Sequence, residues 1–266
     1  MKRIGLIAGG GELPLEFIDS AKKDGNKVIV FALNKMADKR VERHADKVYW
    51  MEIGHYKKFL FLLLKERIRE IALIGKVDKS IIYEKGKYDK KGWKTIKDLD
   101  NKKDYSILAE ITRHLGRFGI AVINPGKYLS HLIPEVGVLS RAMPDKRIEE
   151  DILFGYDMAK KLAGMDIGQT VIIKGKSVVA VEAMEGTDQT IKRAGEVAGA
   201  GCVMVKVSRP DQDMRWDVPT VGVETIKKMT EQRFSALAIE SGKMFIVDRQ
   251  ELLWTADNSN MVVQAL

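Results

Sequence analysis

Between residues 4 and 123, short apolar runs alternate with amphipathic stretches, and this alternation limits the fold more than any other feature. Residues 4–8, 28–33, 48–53, 71–74 and 120–123 are β-prone runs of strand length. Residues 15–23, 56–68 and 105–118 carry helical periodicity, with Phe59, Leu60, Leu63 and Leu64 on the apolar face of the middle one. Short buried strands separated by helices predict a parallel sheet covered on both faces. The ligand crevice of such a sheet lies beyond the carboxyl ends of its strands.

The first of those ends is Ile4-Gly5-Leu6-Ile7-Ala8-Gly9-Gly10-Gly11-Glu12-Leu13-Pro14: a strand, a glycine turn and a helix start. Glycines let a backbone approach a phosphate, and a helix N-terminus offers unpaired N–H donors. Pro14 suits the first helical turn. Gly9, Gly10 and Gly11 are therefore candidates for holding a nucleotide or its phosphates, although a tight turn without a ligand would use the same residues. The turn departs twice from the dinucleotide fingerprint. Pro14 stands at the third glycine position, and the second strand ends Phe31-Ala32-Leu33-Asn34, with no acid for a ribose hydroxyl. NAD is disfavoured.

The second half has a different grammar. Residues 124–134 suggest a linker. Residues 147–162 predict a long helix, started by Pro144-Asp145. Residues 170–174 and 178–183 flank Gly175-Lys176-Ser177 as a hairpin. Residues 236–240 and 244–247, joined by Ser241-Gly242-Lys243, suggest another. Helices are expected over 187–197, 224–232 and 248–256, and further strands over 202–207 and 261–263. The expectation is an α/β chain with two domains: residues 1–130 built on a parallel sheet and residues 131–266 mixed α/β.

Charge supports two modules. Residues 1–133 hold 28 Lys and Arg against 17 Asp and Glu, a balance of +11; residues 134–266 hold 17 against 20, a balance of −3. Residues 76–103 alone carry ten lysines and five acids. Such a stretch is either a solvated loop or a surface that attracts anions. Only Tyr83, Tyr88 and Trp93 interleave with those lysines, and no nucleic-acid-binding signature accompanies them, so nucleic acid is not an expected partner. The longest strongly apolar run, residues 59–64, is far below the ~20 residues of a membrane span. No export signal is evident. The single cysteine, Cys202, excludes an internal disulfide, and with four histidines it argues against structural zinc. A cytosolic protein is expected.

Two acidic clusters carry the chemistry. Glu182-Ala183-Met184-Glu185-Gly186-Thr187-Asp188 follows a strand and precedes a helix. Thr187 or Asp188 could simply cap that helix. Alternatively, Glu185 and Asp188 line an anion or metal site beside the helix N-terminus. The second cluster runs from Lys206 to Thr220, with Pro210 and Pro219 forbidding a helix across it. If extended, it presents Asp213, Arg215 and Asp217 on one face and Met214, Trp216 and Val218 on the other. Arg suits a bidentate grip on phosphate, and Asp suits a metal or a positioned water. A surface salt-bridge ladder would use the same residues.

The glycine-turn segment Ile4 to Pro14, Asp166-Ile167-Gly168-Gln169, the run Val181 to Asp188 and Gln212-Asp213-Met214-Arg215-Trp216-Asp217-Val218-Pro219-Thr220-Val221-Gly222 resemble the LpxI-type UDP-2,3-diacylglucosamine pyrophosphatases of lipid A biosynthesis. The resemblance spans nearly the whole chain in the family's order, and residues 76–103 depart from it in their lysine content. It implies a Rossmann-like N-terminal domain, a distinct C-terminal domain, and Mg²⁺-dependent hydrolysis, with Mn²⁺ as an alternative ion. The products are UMP and 2,3-diacylglucosamine 1-phosphate. The family's key aspartate, in an Arg-x-Asp-x-Pro motif, falls on Asp217. On the chemistry of the residues themselves, Arg215 is assigned to stabilise phosphate charge, and Glu185, Gly186, Thr187, Lys206 and Gln212 are candidate substrate contacts. Asp188 and Asp213 join Asp217 as metal candidates. Expected partners are the nucleotide-sugar glycolipid and the inner-membrane surface, met peripherally, with a homodimer as an open option. Two rivals predict other behaviour: a nucleotide-dependent oxidoreductase, and a nucleotide- or lipid-binding module without turnover.

Overall fold

A computed structural model describes residues 1–77, 104–215 and 218–266. The chain divides into two compact units, the first built mainly from Met1–Leu129 and the second from Ser130–Asp213 with the C-terminal residues. Tyr83, Tyr88 and Trp93, with most of the basic stretch, lie outside the described residues, as do Trp216 and Asp217.

The first unit is the expected parallel sheet. Its strands β1 (Arg3–Ala8), β2 (Lys27–Leu33), β3 (Lys47–Met51), β4 (Glu70–Ile74) and β5 (Ala121–Val122) run in the order β3-β2-β1-β4-β5, all parallel. This is a Rossmann-like order, with β1 and β4 flanking the point where connections change direction. Helix α1 (Leu13–Lys23) buries Leu15, Phe17, Ile18 and Ala21 and packs beside β2. Phe31 of β2, Met51 of β3 and Ile71 of β4 form a core with Phe59, Leu62 and Leu63 of α3 (Tyr56–Lys65) and Leu115 of α4 (Asp104–Gly116). The buried stripe of α3 is thus rotated from the one the sequence suggests, leaving Leu64 exposed. A single turn of helix, α2 (Val41–His44), was too short to show a period.

The second unit is a six-stranded mixed sheet of order β6-β13-β11-β9-β7-β8. It comprises β6 (Gly137–Val138), β7 (Thr170–Lys174), β8 (Ser177–Val181), β9 (Val203–Lys206), β11 (Ala236–Ile239) and β13 (Val262–Ala265). Strands β9, β11 and β13 are parallel to one another; β6, β7 and β8 are antiparallel to their neighbours. The helices are α5 (Lys146–Gly164), α6 (Thr187–Ala198), α7 (Val223–Glu231) and α8 (Arg249–Asn258). Strand alternation sorts the two faces. Ile172, Met204, Leu237 and Val263 pack against α6, α7 and α8; Val171, Ile173, Val203, Val205 and Ala236 pack against α5. Gly155 lets α5 close on the sheet, since a Cβ there would stand 2.6 Å from Val205 Cγ2.

The β7–β8 hairpin forms as expected, with Gly175 and Lys176 both at positive φ, the signature of a tight two-residue turn. The second expected hairpin does not form. β11 pairs with β9 and β13, whereas β12 (Phe245–Ile246) pairs in parallel with β10 (Thr220–Val221) in a separate two-stranded ribbon. A glycine between two apolar runs fits a hairpin locally, but the parallel neighbours offer β11 two buried edges rather than one. Among the described residues no helix is long and apolar enough to cross a membrane.

Candidate functional site

The glycine turn sits at the carboxyl end of β1, where the sheet places its crevice, but its N–H groups are partly engaged. Gly9 N–H donates to the Ile74 carbonyl at 2.8 Å, and Gly10 exchanges two backbone bonds of 2.9 Å with Lys76. A Cβ on Gly9 would lie 2.5 Å from the Lys76 carbonyl oxygen, and one on Gly75 2.7 Å from Gly9 C. Gly9 and Gly10 therefore allow two backbones to touch, with both of their N–H groups donated to carbonyls of the β4 end. Gly11, at φ +98° with open space where a Cβ would be, leads into α1. There Glu12 pairs with Arg40, which Asp38 also holds at 2.7 Å.

In the second unit, polar side chains gather where β9 and β11 end and β7 begins. Thr170, the first residue of β7, is in register with Lys206, the last of β9. Both lie two residues from Ile172 and Met204, so alternation puts them on the face packed by α6. Lys206 Nζ donates to Thr187 Oγ1 at 3.0 Å, and that hydroxyl donates to Glu182 Oε1 at 2.6 Å. Thr170 is fully buried and its Oγ1 has no hydrogen-bond partner among the described residues. Sequence reasoning missed Thr170 because only strand pairing places it beside Lys206.

Gly186, at φ +80°, is the N-cap of α6, and no side chain caps that end. Neither Thr187 nor Asp188 does so: the first is turned to Glu182, and the second pairs with Lys228. Glu185 folds back, accepting from Arg193 at 2.6 Å and from Ala183 N–H at 3.2 Å. Backbone N–H donation, then Arg193, holds its carboxyl below the usual range.

The segment after β9 is not extended where it is described. Residues 210–211 and 214–215 are turns, and Gln212 N–H donates to the Arg209 carbonyl at 3.1 Å. The alternation expected to align Asp213, Arg215 and Asp217 is therefore not met over the described part. Pro210, with fixed φ and no N–H, favours a turn there. Gln212 instead accepts from Gln169 Nε2 at 2.8 Å, and Arg209 pairs with Asp166 at 3.1 Å. Segments 166–169, 182–188 and 206–212 thus meet at one end of one sheet. Gly168 is the joint, since a Cβ on it would lie 1.8 Å from the Glu182 carbonyl oxygen.

The described residues do not by themselves fit a metal ion. No three His, Cys, Asp or Glu side chains among them converge, and Asp188 is neutralised by Lys228.

Residues 3–132 match the LpxI N-terminal domain model and residues 135–264 the LpxI C-terminal domain model. The chain belongs to the LpxI family. A Caulobacter vibrioides protein, UDP-2,3-diacylglucosamine pyrophosphatase LpxI, is 28% identical over 99% of this chain and 97% of its own length. Likeness to solved structures is slight. Phosphoribosylglycinamide synthetase from Anaerococcus prevotii shares 14% identity over 72% of this chain and 34% of its own, with a TM-score of 0.27. N5-carboxyaminoimidazole ribonucleotide synthetase from Thermotoga maritima shares 16% over 70% and 42%, with a TM-score of 0.26. The chain spans less than half the length of either.

Proposed function

We propose that this chain hydrolyses the pyrophosphate bond of UDP-2,3-diacylglucosamine, releasing UMP and 2,3-diacylglucosamine 1-phosphate in lipid A synthesis. The observation that carries this is the end-to-end match to the Caulobacter pyrophosphatase, across both family domains. The second unit supports it chemically. An N-terminus of α6 without a side-chain cap, flanked by Thr187 and Lys206, with Thr170 in register beside Lys206, suits the oxygens of a phosphate. In this reading Arg215 stabilises charge growing on the phosphate, and Asp217 positions the attacking water or holds a divalent ion. Glu185, Gly186 and Gln212 contact substrate. Mg²⁺, or Mn²⁺ in its place, suits hard carboxylate donors such as Asp213 and Asp217 and would supply charge neutralisation at the phosphates. The two acyl chains bring the enzyme to the inner-membrane surface from the cytoplasmic side.

The test is an assay of the pure protein with UDP-2,3-diacylglucosamine, with Mg²⁺ and in EDTA. UMP release that requires the ion is expected. UDP-glucose should be turned over at least ~10-fold more slowly, because the acyl chains supply binding energy remote from the reacting bond. Equal rates on the two substrates overturn the substrate assignment, and full activity in EDTA removes the ion.

A further inference from the structure

The second unit contains a charged cluster around a buried carboxylate, and its ionised members, Glu240 and Lys160, lie outside both acidic motifs. Glu240 follows β11 and is 5% exposed; Ser208 follows β9 and is fully buried. Glu240 Oε2 accepts from Ser208 N–H at 2.8 Å and from Ser208 Oγ at 2.7 Å. Lys160, on α5, reaches both Glu240 oxygens at 3.0 and 3.1 Å and the Ser208 carbonyl at 3.2 Å. Lys243 adds a contact to Glu240 at 3.3 Å. Both backbone groups of Ser208 are thus held by side chains, the N–H by Glu240 and the carbonyl by Lys160.

The position of this cluster decides what it does. Up to Val207 the chain is held by backbone partners, with Val207 N–H on the Gln169 carbonyl at 2.9 Å. At Ser208 it leaves the sheet, and over the next residues it supplies Arg209, Gln212 and Asp213. A buried ion pair is a poor device for stability, since apolar residues of similar volume often serve as well. It is a good device for fixing a backbone, because charged hydrogen bonds are short and directional.

We propose that Glu240 is a positioning residue of the hydrolase: with Lys160 it clamps the backbone at Ser208 and so sets where the Arg209–Asp213 segment presents its polar groups. This rests on the hydrolase reading above. Glu240 touches no reacting atom in this scheme; it acts through Ser208. A displacement of about 1 Å in a reacting group can cost ~10²-fold in rate, so a loosened clamp should appear in kcat.

The experiment compares wild type, Glu240→Gln, Glu240→Ala and Ser208→Ala on UDP-2,3-diacylglucosamine, each assayed well below its Tm, with amide hydrogen exchange over residues 207–213 measured in parallel. Glu240→Gln keeps an acceptor for the Ser208 N–H, and Ser208→Ala keeps both backbone bonds, so both should fold. The expected result is faster exchange over 207–213 in Glu240→Ala, a kcat lowered ~10–100-fold with KM within about threefold, and partial recovery of both readouts in Glu240→Gln. Ser208→Ala should stay within about threefold of wild type in kcat. A lower Tm with unchanged kcat in Glu240→Gln and Glu240→Ala marks a merely structural pair and overturns the proposal. So does a loss of kcat without a change in exchange. If Glu240→Ala does not fold, Glu240→Gln alone decides, with faster exchange and lower kcat expected. A wild type that releases no UMP overturns the hydrolase reading itself and takes this proposal with it.

Discussion

At Gly168 there is no room for a methyl group, because a Cβ would stand 1.8 Å from the Glu182 carbonyl oxygen. That contact is backbone on one side, so relief requires the chain to move. Gly168→Ala should cost about 1–3 kcal/mol, measured by chemical denaturation, and should shift the Glu182–Thr187 segment with it. A glycine between Ile167 and Gln169 signals a turn in sequence; its partner, fourteen residues on, is invisible until β7 and β8 are paired. Asp217 is the opposite case, singled out by sequence alone. If it serves the reacting phosphate, Asp217→Asn should lower kcat ~10²–10⁴-fold with substrate binding retained. A variant keeping more than about a tenth of wild-type kcat removes it from the chemistry.

Among the elements, the β7–β8 hairpin and α5 depend on one another through Asp151. This carboxylate is 1% exposed and accepts from Gly175 N–H at 2.9 Å and Lys176 N–H at 2.5 Å, closing the turn. Asp151→Ala leaves two turn N–H groups without their acceptor and should cost about 1–3 kcal/mol, seen as a lower denaturation midpoint with activity of the folded fraction retained. A change below about 0.5 kcal/mol means water replaces the carboxylate. At the start of the same helix Asp145 accepts from Ile148 N–H at 2.8 Å, the cap its Pro-Asp sequence suggests. Capping is legible because it is local. Asp151 was not, because its partners lie about 25 residues away and its helical position looks like any exposed acid.

For the whole molecule, acid sensitivity has a source in each unit. Hydrogen bonds from Lys47, then Tyr49, hold the Glu66 carboxyl below its ordinary value of 4.5. Burial works against Glu240, but donation from Ser208 and Lys160 prevails and holds it low as well. A carboxylate with a depressed folded-state pKa adds stability that is present above its unfolded value and is lost as pH falls through the folded one. Thermal midpoints should therefore fall as pH drops below about 4.5. Glu66→Gln should melt lower than wild type at pH 7 and approach it in acid. Parallel curves for the two proteins would mean that Glu66 does not contribute.

The sequence by itself determined the α/β character of both halves, the parallel sheet, the glycine turn and its proline, the first hairpin and the family motifs. Each of these is written in local periodicity, in turn chemistry or in a run of neighbouring residues. Tertiary structure alone decided the pairing of β11 with β9 and β13, the engagement of Gly9 and Gly10 with Gly75 and Lys76, and the turns that replace an extended segment after Pro210. It also decided the meeting of Thr170 with Lys206 and of Lys160 and Glu240 with Ser208. The physical reason is sequence separation: strand neighbours and buried ion partners 30 to 80 residues apart are chosen by which edges and faces the whole sheet leaves to be filled.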